Sequence, residues 1–271
     1  DKFLIDQYIM NGGKVLWLID GVNAAMDSLR FSKSFIALAN DLNISTQLFK
    51  YGIRINSNLI EDLRAVEIPI ITGYSNNIPQ QSFFRWPYHP LLFSQSNHPI
   101  SKNLDAIRCN FVSSIDTIKN NIKKTILLHS SSKTRLIPSP AKVSLNILEN
   151  PPLNSSYNKK NQAIAVLLEG EFQSIFKNRI EPKKEIIPFK EESEKNKMIV
   201  ISDGDLISND VGSNGTIYPL GYDKFIEYSY PGNKIFIINC LQYLCDNIGV
   251  SNLKRKKLQL RMLDRQKTNN Y

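Results

Sequence analysis

Cysteine is scarce in this 271-residue chain, with Cys109, Cys240 and Cys245 the full set. They form no C-x-x-C pair and no Cys/His cluster, which excludes a disulfide scaffold and a zinc module. Cys240 and Cys245 stand five apart in a helical pattern, on different faces, so buried free thiols are expected. Histidine is equally rare: His89, His98 and His129 are scattered and lack acidic or cysteine neighbours, so no metal site and no cofactor are expected. No apolar run approaches the ~18 residues of a membrane span. The glycines never fall into a G-x-G-x-x-G, and Asn11-Gly12-Gly13 precedes a strand pattern, so it is no phosphate cradle. There is no G-x-S-x-G elbow, and Cys109 lies inside a strand pattern (IRCNFV), which leaves no evident nucleophile. The opening DKFLIDQYIM is charged and helical in pattern, unlike a secretory leader, so the sequence reads as an excerpt. No internal repeat is found.

What is present is an ordinary globular composition, 42% hydrophobic and 22% charged, with enough apolar residues to bury a core. The net charge of +9 is uneven. Between Ser251 and Tyr271 seven basic residues face one acid, Asp264, whereas the rest of the chain carries 27 basic and 24 acidic residues. A protein that tracks phosphates spreads its Lys and Arg over a face interleaved with aromatics. A mixed body with a basic tail reads instead as no nucleic-acid binder.

Phe3, Leu4, Tyr8 and Ile9 recur at helical spacing and Asn11-Gly12-Gly13 supplies the stop. Lys14 to Asp20 (KVLWLID) is a continuous apolar run of the kind found in strands buried on both faces. Phe35 to Tyr51 carries an amphipathic helical pattern with a break near Asn43, ended by Gly52, and Ile53–Ile60 and Glu67–Thr72 read as strands. Gly73 to Ser101, rich in Pro, Asn, Gln, Ser and aromatics, reads as a long loop. Further strands are expected at 106–112, 125–129, 163–168 and 198–202, with polar surface stretches at 130–140 and 150–161 and a charged connector at 181–197. Asn233 is placed to cap a helix over 235–246. Strands alternating with helices predict an α/β fold with a mainly parallel sheet flanked by helices. One domain would cover 1–250, possibly with a smaller lobe around 73–160, and 251–271 would form a basic C-terminal segment.

The sharpest local signal is MIVISDGDLIS, a buried strand ending in Asp203-Gly204-Asp205. It resembles the aspartyl-nucleophile motif of haloacid-dehalogenase phosphatases, which would make the chain a Mg²⁺-dependent phosphoester hydrolase using Asp203 and Asp205. That family needs a second acidic pair downstream, and none follows, so a turn with capping carboxylates is preferred. Asp20, after the first apolar run, has the same ambiguity: strand C-termini are where open α/β sheets bind ligands, so Asp20, Asp203 and Asp205 are candidate ligand-loop carboxylates. A solute-binding module would need a polar cleft at those positions. Phe83, Phe84, Arg85, Trp86 and Tyr88, residue types enriched at binding hot spots, form the candidate interaction cluster.

Three stretches, LIDQYIMNGGKVLWLIDGVNA, DLNISTQLFKYGIRINSNLIEDLRA and GNKIFIINCLQYLCDN with the following LKRKKLQLRMLD, together resemble the periplasmic auxiliary family of ABC-type transport systems, in its gliding-motility branch, GldG. AIAVLLEGEFQSIF and VISDGDLIS fit the family's later strands, so the likeness spans nearly the whole chain. It implies a glutamine-amidotransferase-like domain of the intraflagellar-transport type, without a catalytic triad, and therefore no enzyme. It further implies a periplasmic domain of an inner-membrane-anchored protein, its spans lying outside this sequence, in partnership with the permease GldF and the ATPase GldA. A link to gliding motility and type IX secretion comes with it. A homodimer through sheet edges or aromatic patches is a further expectation. Asp27-Ser28-Leu29 and Asp116-Thr117-Ile118 resemble the O-glycosylation sequence of periplasmic proteins in gliding bacteria.

Overall fold

The computed structural model describes residues 1–29, 32–94, 96–179, 188–212 and 214–246. The basic segment 251–271 and the first part of the charged connector, 181–187, lie outside them. In chain order the strands are β1 (Val15–Leu18), β2 (Val22–Asn23), β3 (Ser34–Ala39), β4 (Ile53–Ile55), β5 (Asn58–Asp62), β6 (Ala65–Ser75), β7 (Ile78–Leu92), β8 (Ile107–Arg108), β9 (Ile115–Thr117) and β10 (Lys123–His129). They continue with β11 (Thr134–Pro138), β12 (Ala141–Ser144), β13 (Ala163–Gln173), β14 (Glu192–Ile201), β15 (Tyr222–Asp223) and β16 (Tyr228–Ser229). The α-helices are α1 (Lys2–Met10), α2 (Ser45–Tyr51), α3 (Asn146–Glu149) and α4 (Pro231–Cys245).

The central sheet has the order β1-β14-β13-β10. Its β1–β14 pair is parallel, Val15 facing Met198 and Leu18 facing Ile201, as two continuous apolar runs require when both faces are covered. Along β14 the pleat alternates. Met198 and Val200 pack with Ile9 and Met10 of α1 and Leu48 and Tyr51 of α2, whereas Ile199 and Ile201 pack with Phe236, Cys240 and Leu244 of α4. A third core cluster joins Trp86, Tyr88 and Phe111 to Ala37 of β3, Leu59 of β5 and Val143 of β12.

The expectation of a mainly parallel sheet flanked by helices, and with it a glutamine-amidotransferase-like arrangement, is overturned. Apart from β1–β14, every strand pairing among the described residues is antiparallel, and most sheets have only two or three strands. Among the described residues no helix crosses over between neighbouring strands of the central sheet as repeated parallel pairing needs. The stretch 35–51 holds strand β3 before the short helix α2, because Phe35 to Ala39 is paired on both sides, with β12 and β2. The expected loop at 73–101 is mostly strand. Asn76 and Asn77 both adopt positive φ (49° and 63°) and close a tight two-residue turn between β6 and β7. Pro79, Pro87 and Pro90 hide the strand pattern, yet β7 meets β8 only at Leu91–Leu92, so along most of its length one flank needs no amide donors. The stretch 130–140 contains β11, and the charged residues Glu192–Lys197 extend β14 instead of preceding it.

One buried carboxylate ties the helical side together. Asp6 on α1 accepts hydrogen bonds from the Tyr51 hydroxyl (2.9 Å), Ser174 Oγ (2.6 Å) and the Ile175 amide (3.1 Å), which fastens α1 to α2 and to the end of β13. On the other side Asn233 lies within the first turn of α4 instead of capping it. Its side chain accepts from the Arg108 amide (2.9 Å) and donates to the Arg108 carbonyl (2.7 Å), completing the short strand β8 as a partner strand would.

Candidate functional site

The parallel pairing sets the C-terminal ends of β1 and β14 side by side, and their loops bring together the carboxylates predicted from the sequence. The Gly204 amide donates to Asp20 Oδ1 at 2.8 Å, and a Cβ at that position would lie 2.5 Å from Asp20 Oδ2, so the close approach depends on glycine. Asp203 is fully buried. Its Oδ2 accepts from the Asn110 amide (3.0 Å), and its Oδ1 has no hydrogen bond. Burial, reinforced by the charges of Asp20 and Asp205, pushes its carboxyl up to about 7. Burial likewise raises Asp20 and Asp205. A fully buried carboxyl is not presented to a substrate in this structure, as the first carboxylate of the phosphatase-like motif would have to be.

Asp205 lines a cavity of 470 Å³ whose walls include Ile68, Ile70, His89, Arg108, Asn110 and Leu206. The volume falls within the ~300–1,000 Å³ typical of small-molecule sites. His89 is buried, and burial together with the Arg108 charge lowers its imidazole to about 3, so it is neutral at physiological pH. Arg108 Nη1 stands 3.4 Å from both Asp210 and Asp223. Sequence reasoning set His89 aside as an unlikely metal ligand and missed Arg108 and Asn110 as cavity residues. The signal lay in the alternation of Ile107-Arg108-Cys109-Asn110, which sends the polar residues to one face. The three histidines do not converge: His98 packs against the Tyr243 ring (4.9 Å) and His129 Nδ1 meets the Ser130 carbonyl (2.7 Å). Among the described residues no group of three His, Cys, Asp or Glu is placed to hold a metal ion.

The aromatic cluster is divided by the β7 pleat and by where the ribbon leaves the body. Trp86 and Tyr88 are buried, their rings 5.2 Å apart and Tyr88 stacked on Phe111 at 5.9 Å. They are core in this structure. Phe83, Phe84 and Arg85 are exposed, and Arg85 faces Glu67 across the ribbon at a loose 3.9 Å. Beyond them the β6–β7 ribbon bares both faces, with Ile71, Phe83, Tyr74 (72% exposed) and Ile78 (63% exposed) apolar and solvated. In the two stretches that resemble a glycosylation sequence, Ser28 and Thr117 are both exposed.

The family described as ABC-type uncharacterized transport system matches residues 1–240, and the chain belongs to it. An uncharacterized protein of Borreliella burgdorferi is 25% identical over 224 residues, covering 78% of this chain and 38% of that protein. The chain thus spans less than half the length of that relative. Among the described residues no helix is long and apolar enough to cross a membrane.

Proposed function

We propose that this chain is a non-enzymatic, periplasmic component of an ABC transport complex that works by protein contact, docking through the β6–β7 ribbon onto the membrane permease. The observation that carries the reading is the ribbon. A two-stranded element is marginal alone in water, and natural edges are usually blunted with charge or covered. Here the outer half, from Ile71 to Phe84, keeps Ile71, Tyr74, Ile78 and Phe83 about half or more exposed to solvent. Such a surface gains free energy when another protein covers it, by a groove or by an added strand. Family membership supplies the transport context. The stretches that resemble the gliding-motility branch extend the reading to GldF as the permease and GldA as the ATPase.

The test is capture of the permease from detergent-solubilised membranes, comparing the native chain with Tyr74→Ser/Phe83→Ser. The reading expects the permease to be retained by the native chain and lost from the double variant, with unchanged melting temperatures. Equal retention by both would place the contact elsewhere.

A further inference from the structure

The cavity beside the carboxylates has a built polar wall. Beyond β8 the pairing with β7 continues through the Cys109 amide to the Pro90 carbonyl (3.1 Å) and the Phe111 amide to the Tyr88 carbonyl (2.8 Å). That register sets His89 opposite Asn110 and Leu91 opposite Arg108, so His89, Arg108 and Asn110 share one face. All three line the cavity. Each carries a buried polar atom with no hydrogen-bond partner: His89 Nε2, Arg108 Nε and Asn110 Oδ1. His89 is only 4% exposed. Folded proteins rarely leave such atoms unpaired, and three on one wall of one cavity point to groups held ready for a bound molecule.

Their chemistry narrows the ligand. The Arg108 charge is met by Asp210 and Asp223, and Lys224 stands 4.0 Å from Asp210, so these two cations have acidic partners already. Asp205 lines the cavity and its carboxyl makes no side-chain hydrogen bond or close ion pair. The Arg108 charge reaches it, yet Asp27, Asp205, Asp210 and Asp223 outnumber Arg108 and Lys224 around the cavity, which favours a cation over an anion. Asn110 Oδ1 offers a second acceptor, while Arg108 Nε offers a donor to a carbonyl. Ile68, Ile70 and Leu206 provide an apolar surface in the same cavity.

We propose that this cavity binds an α-amino acyl group: a protonated amine held by Asp205 and Asn110, its neighbouring carbonyl accepting from Arg108 Nε, and an apolar side chain against Ile70 and Leu206. A free amino acid and the first residue of a peptide share this chemistry. The inference does not rest on docking through the ribbon.

The experiment is calorimetric titration of the whole chain with L-leucine, L-leucinamide, L-phenylalaninamide and the dipeptide Leu-Leu, with N-acetyl-L-leucinamide as the uncharged control. Saturable binding of the amines is expected, weakened about tenfold or more by acetylation and to the same degree by Asp205→Asn, because both remove a charge-assisted hydrogen bond. Asp205 is an exposed residue whose ionised carboxyl the fold disfavours, so the unliganded variant should melt no lower than the native chain does. Preference for the amides and dipeptide identifies a peptide end, and preference for leucine a free amino acid. Absence of saturable binding by all four amines, or equal binding by the acetylated control or by Asp205→Asn, overturns the proposal.

Discussion

Two buried side chains of opposite titration behaviour sit on either side of Asn110, and they set how the fold responds to pH. Asp203 titrates near 7 in the folded chain against an ordinary 3.8, so between about pH 4 and pH 7 the folded state holds a proton that the unfolded chain has released. Stability from this group is therefore fully present below about pH 4, falls as pH rises to 7 and stays level above that. His89 acts in the other direction: its folded value of about 3 lies below the ordinary 6.5, so its contribution is present above 6.5 and is lost as pH falls toward 3. The two slopes oppose each other between pH 4 and 6.5. Asp203→Asn isolates one of them, since an amide oxygen can still accept from the Asn110 amide. The gain in melting temperature of Asp203→Asn over the native chain should be largest above pH 7 and shrink toward pH 4; a gain independent of pH would contradict the buried, protonated carboxyl. Trp86 belongs to the same scale. Truncation of a fully buried indole leaves a large cavity, so Trp86→Ala should cost ~3–5 kcal/mol in a denaturant titration. A loss below ~1 kcal/mol would show that the site is not core.

At the scale of elements, α4 and β8 depend on each other. β8 has only two residues, and the Asn233 side chain supplies both of the hydrogen bonds that a partner strand would give to Arg108. Asn233→Ala leaves a backbone amide and a carbonyl unpaired in a buried place, so a loss of ~1–3 kcal/mol is expected in chemical denaturation. A neutral result would mean that water or a neighbour replaces the amide. The elements also show what the sequence made legible. The helix at 2–10, the buried strands KVLWLID and MIVIS and the C-terminal helix announce themselves by continuous or 3.6-residue apolar patterns and by clear stops such as Gly12. The convergence of Asp20, Asp203 and Asp205 follows from their shared place at strand ends. Of the ribbon, β6 was legible at Glu67–Thr72, whereas β7 was hidden because its outer half is solvated and it carries prolines, so neither apolar alternation nor strand composition marks it. Asn76-Asn77 was the available turn signal. The cavity wall was hidden for another reason: His89 and Asn110 are made neighbours by cross-strand register, which no local pattern contains.

For the molecule as a whole, the arrangement separates two surfaces. The cavity is walled by the inner part of β6, by His89 of β7, by β8 and its continuation and by the segments that follow β14, beside the strand-end carboxylates. The outer half of the β6–β7 ribbon, by contrast, carries solvated apolar residues away from the core that Trp86 and Tyr88 complete. A ribbon that serves contact and not stability should tolerate change. Phe83→Ser should shift the melting temperature of the isolated chain little, corresponding to less than ~1 kcal/mol, because about half of the residue is already in solvent and it belongs to no core cluster. The most direct test of the account is permease capture by the native chain and by Tyr74→Ser/Phe83→Ser at matched concentration. The account predicts that the permease is retained by the native chain and at least tenfold less by the variant. Full retention by a variant with an intact melting transition would contradict it.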